Sequence, residues 1–113
     1  MVFIESKDNN LYKETKKLKE RKGRNKSSKY IIEGFRLIEE AFKASLPIEY
    51  IFVSEEGEEK LQNFLGEYIN SDTKLYGLKE SLLKELSSTD KPQGIVAVVA
   101  MRTLDLELEG SFY

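Results

Sequence analysis

Eight basic side chains near the start of this 113-residue chain have the spacing best suited to chemistry: Lys13, Lys16, Lys17, Arg21, Lys22, Arg24, Lys26 and Arg36. Lysine presents a compact ammonium and arginine a planar guanidinium fork, and both recognise phosphate oxygens. Lys13, Lys16 and Lys17 lie three or four residues apart where a helix would bring them together. From Arg21 to Lys29 the sequence reads as a flexible basic loop, broken by Gly23, Asn25 and Ser27-Ser28. Positive charge on the rim of a rigid scaffold suits a polyanion, and RNA leads the candidates, because phosphate contacts position irregular RNA without reading its bases. The competing reading is a solvated helix face and a loop kept soluble by charge, and composition alone favours it.

The charge is segregated along the chain. Residues 1–36 hold 11 of the 18 Lys and Arg but only five of the 20 Asp and Glu, a local excess of six positive charges. The remainder, with seven basic against fifteen acidic residues, carries −8, so the overall −2 conceals a basic end on an acidic body. Cysteine and histidine are both absent. Disulfides, His-activated nucleophiles and zinc sites with N or S ligands are thereby excluded, and an intracellular, cytoplasmic protein is expected. With 40% hydrophobic and 34% charged residues the chain is globular, sized for one domain. It has no apolar run long enough to span a membrane, and Met1-Val2-Phe3-Ile4-Glu5 does not read as a secretory leader. No acid, base and nucleophile assemble into a catalytic set, so the chain is a poor candidate for a self-sufficient enzyme.

The elements that would hold the basic residues follow from periodicity. Asp8 or Asn9 caps a helix running to about Leu18, with Leu11, Thr15 and Leu18 inward. Tyr30-Ile31-Ile32 reads as a central strand that turns at Glu33-Gly34 into a helix lined by Phe35, Ile38, Ala41 and Phe42. Ile48 to Val53 reads as a strand buried on both faces, as parallel strands are. Ser54 with Glu55-Glu56 starts a helix whose inner face is Leu61, Phe64, Leu65, Tyr68 and Ile69. Leu75-Tyr76 is a short strand, Leu82, Leu83 and Leu86 mark a short helix, and Ile95 to Ala100 is the strongest strand pattern in the chain. Strands alternating with helices predict an α/β fold, a three-layer α/β/α sandwich. Residues 1–101 form the expected domain. In 102–113, Leu104 to Glu109 alternates apolar and acidic residues, which fits either an edge strand or a linker toward a further domain.

Three stretches carry a resemblance: Ile4-x-Ser6-x-x-Asn9 leading to Lys13, Lys17-Leu18 and Arg21-Lys22-x-Arg24; Ile32-Glu33-Gly34-x-Arg36-Leu37-x-x-Glu40-Ala41 with Ile48-Glu49-x-Ile51-Phe52; and Leu86-Ser87-x-Thr89-x-x-Pro92-Gln93-Gly94-Ile95-x-Ala97-Val98. In this order and separation they resemble the N-terminal substrate-binding domain of the SpoU/TrmH family of RNA 2′-O-ribose methyltransferases, over about residues 4–100. The resemblance implies an α/β/α fold like that of kink-turn-binding ribosomal proteins and a structured rRNA or tRNA substrate. It also implies a C-terminal catalytic domain that binds S-adenosylmethionine and forms the homodimer of the parent enzyme. The catalytic residues of that domain have no counterpart here, so this chain is expected to hold no cofactor and no metal and to be non-catalytic by itself. The sequence departs from the family in having Asn10 rather than proline after Asn9.

The turn residues have mainly structural readings. Gly34 permits a tight strand-to-helix turn, although a helix start there also offers N–H groups to a phosphate. Pro92, Gln93 and Gly94 launch the last strand, with Gln93 able to meet a base edge or ribose hydroxyl. Tyr12 and Tyr30 flank the basic segment at positions from which bases could stack, yet core packing is the better reading. Two other functions stay open: a stand-alone RNA-binding protein of the kink-turn type, and a protein-interaction or dimerisation scaffold.

Overall fold

A computed structural model describes residues 1–89 and 93–101. Its elements in chain order are β1 (Val2–Ile4), α1 (Asn10–Lys17), α2 (Arg21–Ser27), β2 (Lys29–Glu33), α3 (Phe35–Lys43), β3 (Ile48–Val53), α4 (Glu55–Leu65), β4 (Leu75–Leu78), α5 (Glu80–Leu86) and β5 (Ile95–Ala100). The strands form a mixed five-stranded sheet in the order β1-β4-β3-β5-β2. Alternation along β3 and β5 sends side chains to opposite faces and so builds two cores. On one face Tyr50, Phe52, Val96 and Val98 pack with Tyr12, Leu18, Leu82, Leu83 and Leu86 from the α1 and α5 side. On the other face Ile51, Val53, Ile95 and Ala97 pack with Phe35, Ile38, Leu61 and Leu65 of α3 and α4. Helices on both faces make the expected three layers.

Local chemistry sets the helix starts. Asn9 caps α1 by accepting from the Tyr12 amide at 3.1 Å. Ser54 caps α4 by accepting from the Gly57 amide at 3.1 Å, and Glu55, Glu56 and Glu58 complement the dipole of that first turn. Thr15, wholly buried, places its hydroxyl 2.7 Å from the Leu11 carbonyl and 2.6 Å from the Tyr50 hydroxyl, joining α1 to β3.

Five features differ from the sequence reading. The basic segment is a helix, α2, rather than a loop. Gly23 does not break it; a Cβ there would lie 2.0 Å from the Lys17 carbonyl oxygen, so the glycine lets α2 close onto the end of α1. Strand β2 lies on the sheet edge, not at the centre, and is antiparallel to β5. The central strand β3 pairs parallel with β4 but antiparallel with β5. After α5 the chain re-enters the sheet at the end where β4 stopped, Ile95 pairing with Val53 beside Gly77. Finally, α4 ends at Leu65, with Tyr68 and Ile69 packing beyond it, and Phe64 is half exposed beside Phe35 at 5.2 Å between ring centroids. Strand β1, only three residues long, carries too little pattern to be anticipated.

Candidate nucleic-acid interface

The carboxyl ends of β1 to β4 and the start of β5 meet at one end of the sheet, where open α/β sheets present their ligand sites. There β2 turns into α3 at Gly34, whose φ of 99° favours glycine. The Gly34 amide donates to the Ile95 carbonyl at 3.2 Å, and a Cβ on Gly34 would sit 2.9 Å from Oε1 of Gln93. Gly94, at φ 85°, nests against the first turn of α4: its carbonyl accepts from the Ser54 amide at 2.9 Å, and a Cβ on Gly57 would come within 2.2 Å of that same oxygen. Gly34 and Gly94 thus hold positive-φ turns that neighbouring atoms approach closely, and the exposed Gln93 side chain lies over Gly34, while Pro92 lies outside the described residues.

Glu33 ties this corner together. Its carboxylate accepts from the Ser87 hydroxyl and, at 3.3 Å, from the Ser88 amide, and Ser87 in turn bonds the Thr89 hydroxyl at 3.2 Å. The Glu-Gly turn and the Ser-x-Thr block, more than fifty residues apart in sequence, are one hydrogen-bonded unit. Sequence reading placed both motifs but missed this link; the signal was an acid at a strand end facing no basic partner in the pattern.

The basic residues fall into two neighbouring groups. Lys13, Lys16 and Lys17 line a recess on α1 together with Lys7, Asp8 and Glu20. Arg24 and Lys19 line a second recess, of about 410 Å³, over β2, whose other walls include Ile31, Glu33, Leu37 and Gln93. Arg36 borders an adjoining hollow that shares Glu33, Leu37 and Gln93 with the second recess, so Arg24 and Arg36 flank the same edge. Arg21, Lys22 and Lys26 are exposed on α2.

Internal carboxylates offset little of this charge. Lys16 meets Glu85 at 3.5 Å and Lys17 meets Glu14 at 3.6 Å, all with side chains more than half exposed, and such pairs contribute at most about 1 kcal/mol. Among the described residues Lys13, Arg21, Lys22, Lys26 and Arg36 form no ion pair. Arg24 has a structural duty as well: its Nη1 donates to the Leu18 and Lys19 carbonyls at 3.2 and 3.1 Å, pinning α2 to the end of α1. Lys19, which sequence reading did not single out, donates to the Glu85 carbonyl at 2.6 Å. Tyr12 is buried, with its hydroxyl donating to Leu82 O at 3.1 Å and to Glu85 at 2.8 Å, so it is a core residue and not a base-stacking one. Burial and the neighbouring Glu85 push the Tyr12 phenol well above its ordinary range; the Tyr12 hydrogen bond, aided by Lys16, holds the Glu85 carboxyl below its own.

The sandwich therefore carries a basic rim and a recess at the carboxyl ends of its strands, the place where open α/β sheets present ligand sites. The family described as the MRM3-like substrate binding domain matches residues 9–97, and the chain belongs to that family. It is 33% identical over 101 residues to the 23S rRNA (guanosine(2553)-2′-O)-methyltransferase RlmP of Bacillus subtilis, covering 89% of this chain and 38% of that protein. A crystal structure of an RNA 2′-O ribose methyltransferase superposes with a TM-score of 0.76 at 33% identity, over 90% of this chain and 38% of the other. The SpoU methyltransferase AviRb from Streptomyces viridochromogenes, in complex with AdoMet, shares the fold at a TM-score of 0.71 and 24% identity, over 88% and 38% of the two chains. This chain thus spans well under half the length of the proteins it matches.

Proposed function

We propose that this chain is the substrate-recognition domain of an S-adenosylmethionine-dependent rRNA or tRNA 2′-O-ribose methyltransferase, acting in the cytoplasm. Methyl transfer, cofactor binding and homodimerisation belong to a separate catalytic domain. The residues of this chain bind and orient RNA, and no reaction step is assigned to them. The observation that carries this reading is the group of exposed cations on α1 and α2, of which Lys13, Arg21, Lys22 and Lys26 form no ion pair among the described residues, in a chain of a substrate-binding family. Arg and Lys there hold the phosphodiester backbone and so set the register of the RNA, leaving the ribose to be presented to the catalytic domain.

The test is RNA binding across salt concentrations by the chain and by a triple Arg21→Glu, Lys22→Glu, Lys26→Glu variant, all three positions being exposed. Each neutralised phosphate contributes about 0.7–0.9 to the slope of log affinity against log salt, so the variant should bind at least tenfold more weakly with a slope shallower by about 2–3. An unchanged affinity and slope would refute the reading.

A further inference from the structure

We propose that the recess over the open edge of β2 receives one unpaired nucleobase of the bound RNA, read by the outward backbone groups of Ile31 and Glu33 and by the side chains of Arg24 and Gln93. The inference rests on the RNA-binding reading above and adds a base-specific site to it. The register of β2 is its foundation. Gly34 N–H bonds to Ile95 O and Met101 N–H bonds to Ser28 O, which fixes Ser28, Tyr30, Ile32 and Gly34 as the residues that exchange ladder bonds with β5. Lys29, Ile31 and Glu33 alternate with them and direct their N–H and C=O groups away from the sheet. Ile31 and Glu33 both line the recess, and their two donors and two acceptors lie along this open edge at the spacing of a strand.

The other walls suit a flat heteroaromatic ring. Leu18, Ile31, Leu37 and Leu86 supply apolar surface, Leu37 being 51% exposed. The volume, about 410 Å³, lies in the range of small-molecule sites. Charge places base and phosphate differently. Glu33, whose carboxylate already accepts from Ser87 and Ser88, lines the recess with negative charge that disfavours a phosphate there and keeps spare lone pairs for the N–H groups of a base. Arg24 and Lys19 line the recess and Arg36 the adjoining hollow that shares Glu33, Leu37 and Gln93, so cations are available to the phosphates on either side of an inserted base. An added peptide strand is the rival occupant. The recess spans only Ile31, Ile32 and Glu33 along β2, too short a run for strand addition, which needs several alternate residues.

The probes are hairpin RNAs carrying a single-nucleotide bulge (A, C, G or U) and the same hairpin with an abasic bulge, titrated against the ¹⁵N-labelled chain. At least one base-bearing bulge should bind about tenfold or more tightly than the abasic one, and the Ile31 and Glu33 amides should shift with it and not with the abasic RNA. Ser88→Trp fills the mouth of the recess while keeping the Ser88 amide bond to Glu33; it should abolish the base preference and leave the salt slope intact. If Ser88→Trp does not fold, Gln93→Ala, an exposed change, should reduce the preference with the recess still open. Equal binding of base-bearing and abasic RNAs, with the charge-reversal variant still weakened, would overturn the nucleobase site and spare the RNA-binding reading. Absence of binding by every RNA would remove both. A strand-forming peptide that shifts the Lys29, Ile31 and Glu33 amides together, with no base preference in RNA, would assign the edge to a protein and overturn the proposal.

Discussion

Replacing Gly57 with alanine sets two physical effects against each other with opposite signs. Gly57 lies in the first turn of α4, and helix propensity alone makes alanine more favourable there by about 1 kcal/mol. The added Cβ, however, would meet the Gly94 carbonyl oxygen at 2.2 Å and Val53 Cγ2 at 2.9 Å, both far inside contact distance. The nearer atom is backbone, so the Gly94 turn or the helix must move. Overpacking of this kind costs about 1–3 kcal/mol. Moving the turn also weakens the Ser54 N–H bond to Gly94 O, a further loss of about 1 kcal/mol. The net expectation is destabilisation by about 1–3 kcal/mol, a fall in Tm of roughly 4–15 °C for a chain of this size. Thermal unfolding followed by circular dichroism reads it directly, with exposed Gln62→Ala on the same helix as the control. A Tm that rises in Gly57→Ala would show that α4 and the Gly94 turn are not in contact, and the account of how β5 is launched would be wrong.

Gly23→Ala should likewise lower the stability of the α1–α2 junction instead of raising it, because the new methyl group meets the Lys17 carbonyl; amide exchange of α2 will speed up, and slower exchange would contradict the packing. Thr15→Val keeps the shape of a wholly buried side chain but leaves the Tyr50 hydroxyl unpartnered, so urea unfolding should show a loss of about 1–3 kcal/mol. Tyr12→Phe removes the hydroxyl that bonds Leu82 O and Glu85, at about 1–2 kcal/mol near neutral pH. Its pH dependence has a definite sign. The Glu85 contribution, from a depressed carboxyl, is present above the unfolded carboxylate range near 4 and lost as pH falls through the lower folded value; the Tyr12 contribution, from a raised phenol, is present below about 10 and lost as pH climbs through the higher folded value. The stability gap between the parent and Tyr12→Phe should therefore narrow at both acid and alkaline extremes, and a gap constant from pH 3 to 11 would refute the linkage.

Long, strongly periodic segments were legible in the sequence. Asn9 as a cap, the Phe35, Ile38 and Ala41 stripe, the Ser54 start and the Ile95–Ala100 strand all sit where side-chain period and capping chemistry place them. What stayed hidden depended on tertiary contact. Gly23, Asn25 and Ser27 look like breakers because propensity is a local quantity, yet α2 is held by Arg24 reaching back to two carbonyls and by a backbone approach that only glycine allows. Apolar content marks Tyr30 to Ile32 as a strand but cannot tell edge from centre, since α2, α3 and β5 between them half-bury it. The basic residues of the interface were visible as a charge excess; the recess beside them was not, because it joins Leu18, Ile31, Leu37, Leu86 and Gln93 from five separate stretches.

Strand β5 lies between β3 and β2, so the sheet closes from its middle. While the ribosome is making the chain, Lys29–Glu33 has no ladder partner until residues 95–100 emerge, a wait of several seconds at 5–20 residues per second. The α1–α2 contacts are local and can form early, but the edge strand they lean on stays unpaired for that interval beside the polyanion that is synthesising it. A lesion that delays the Ile95–Ala100 segment therefore prolongs the exposure of an open strand edge next to the basic residues.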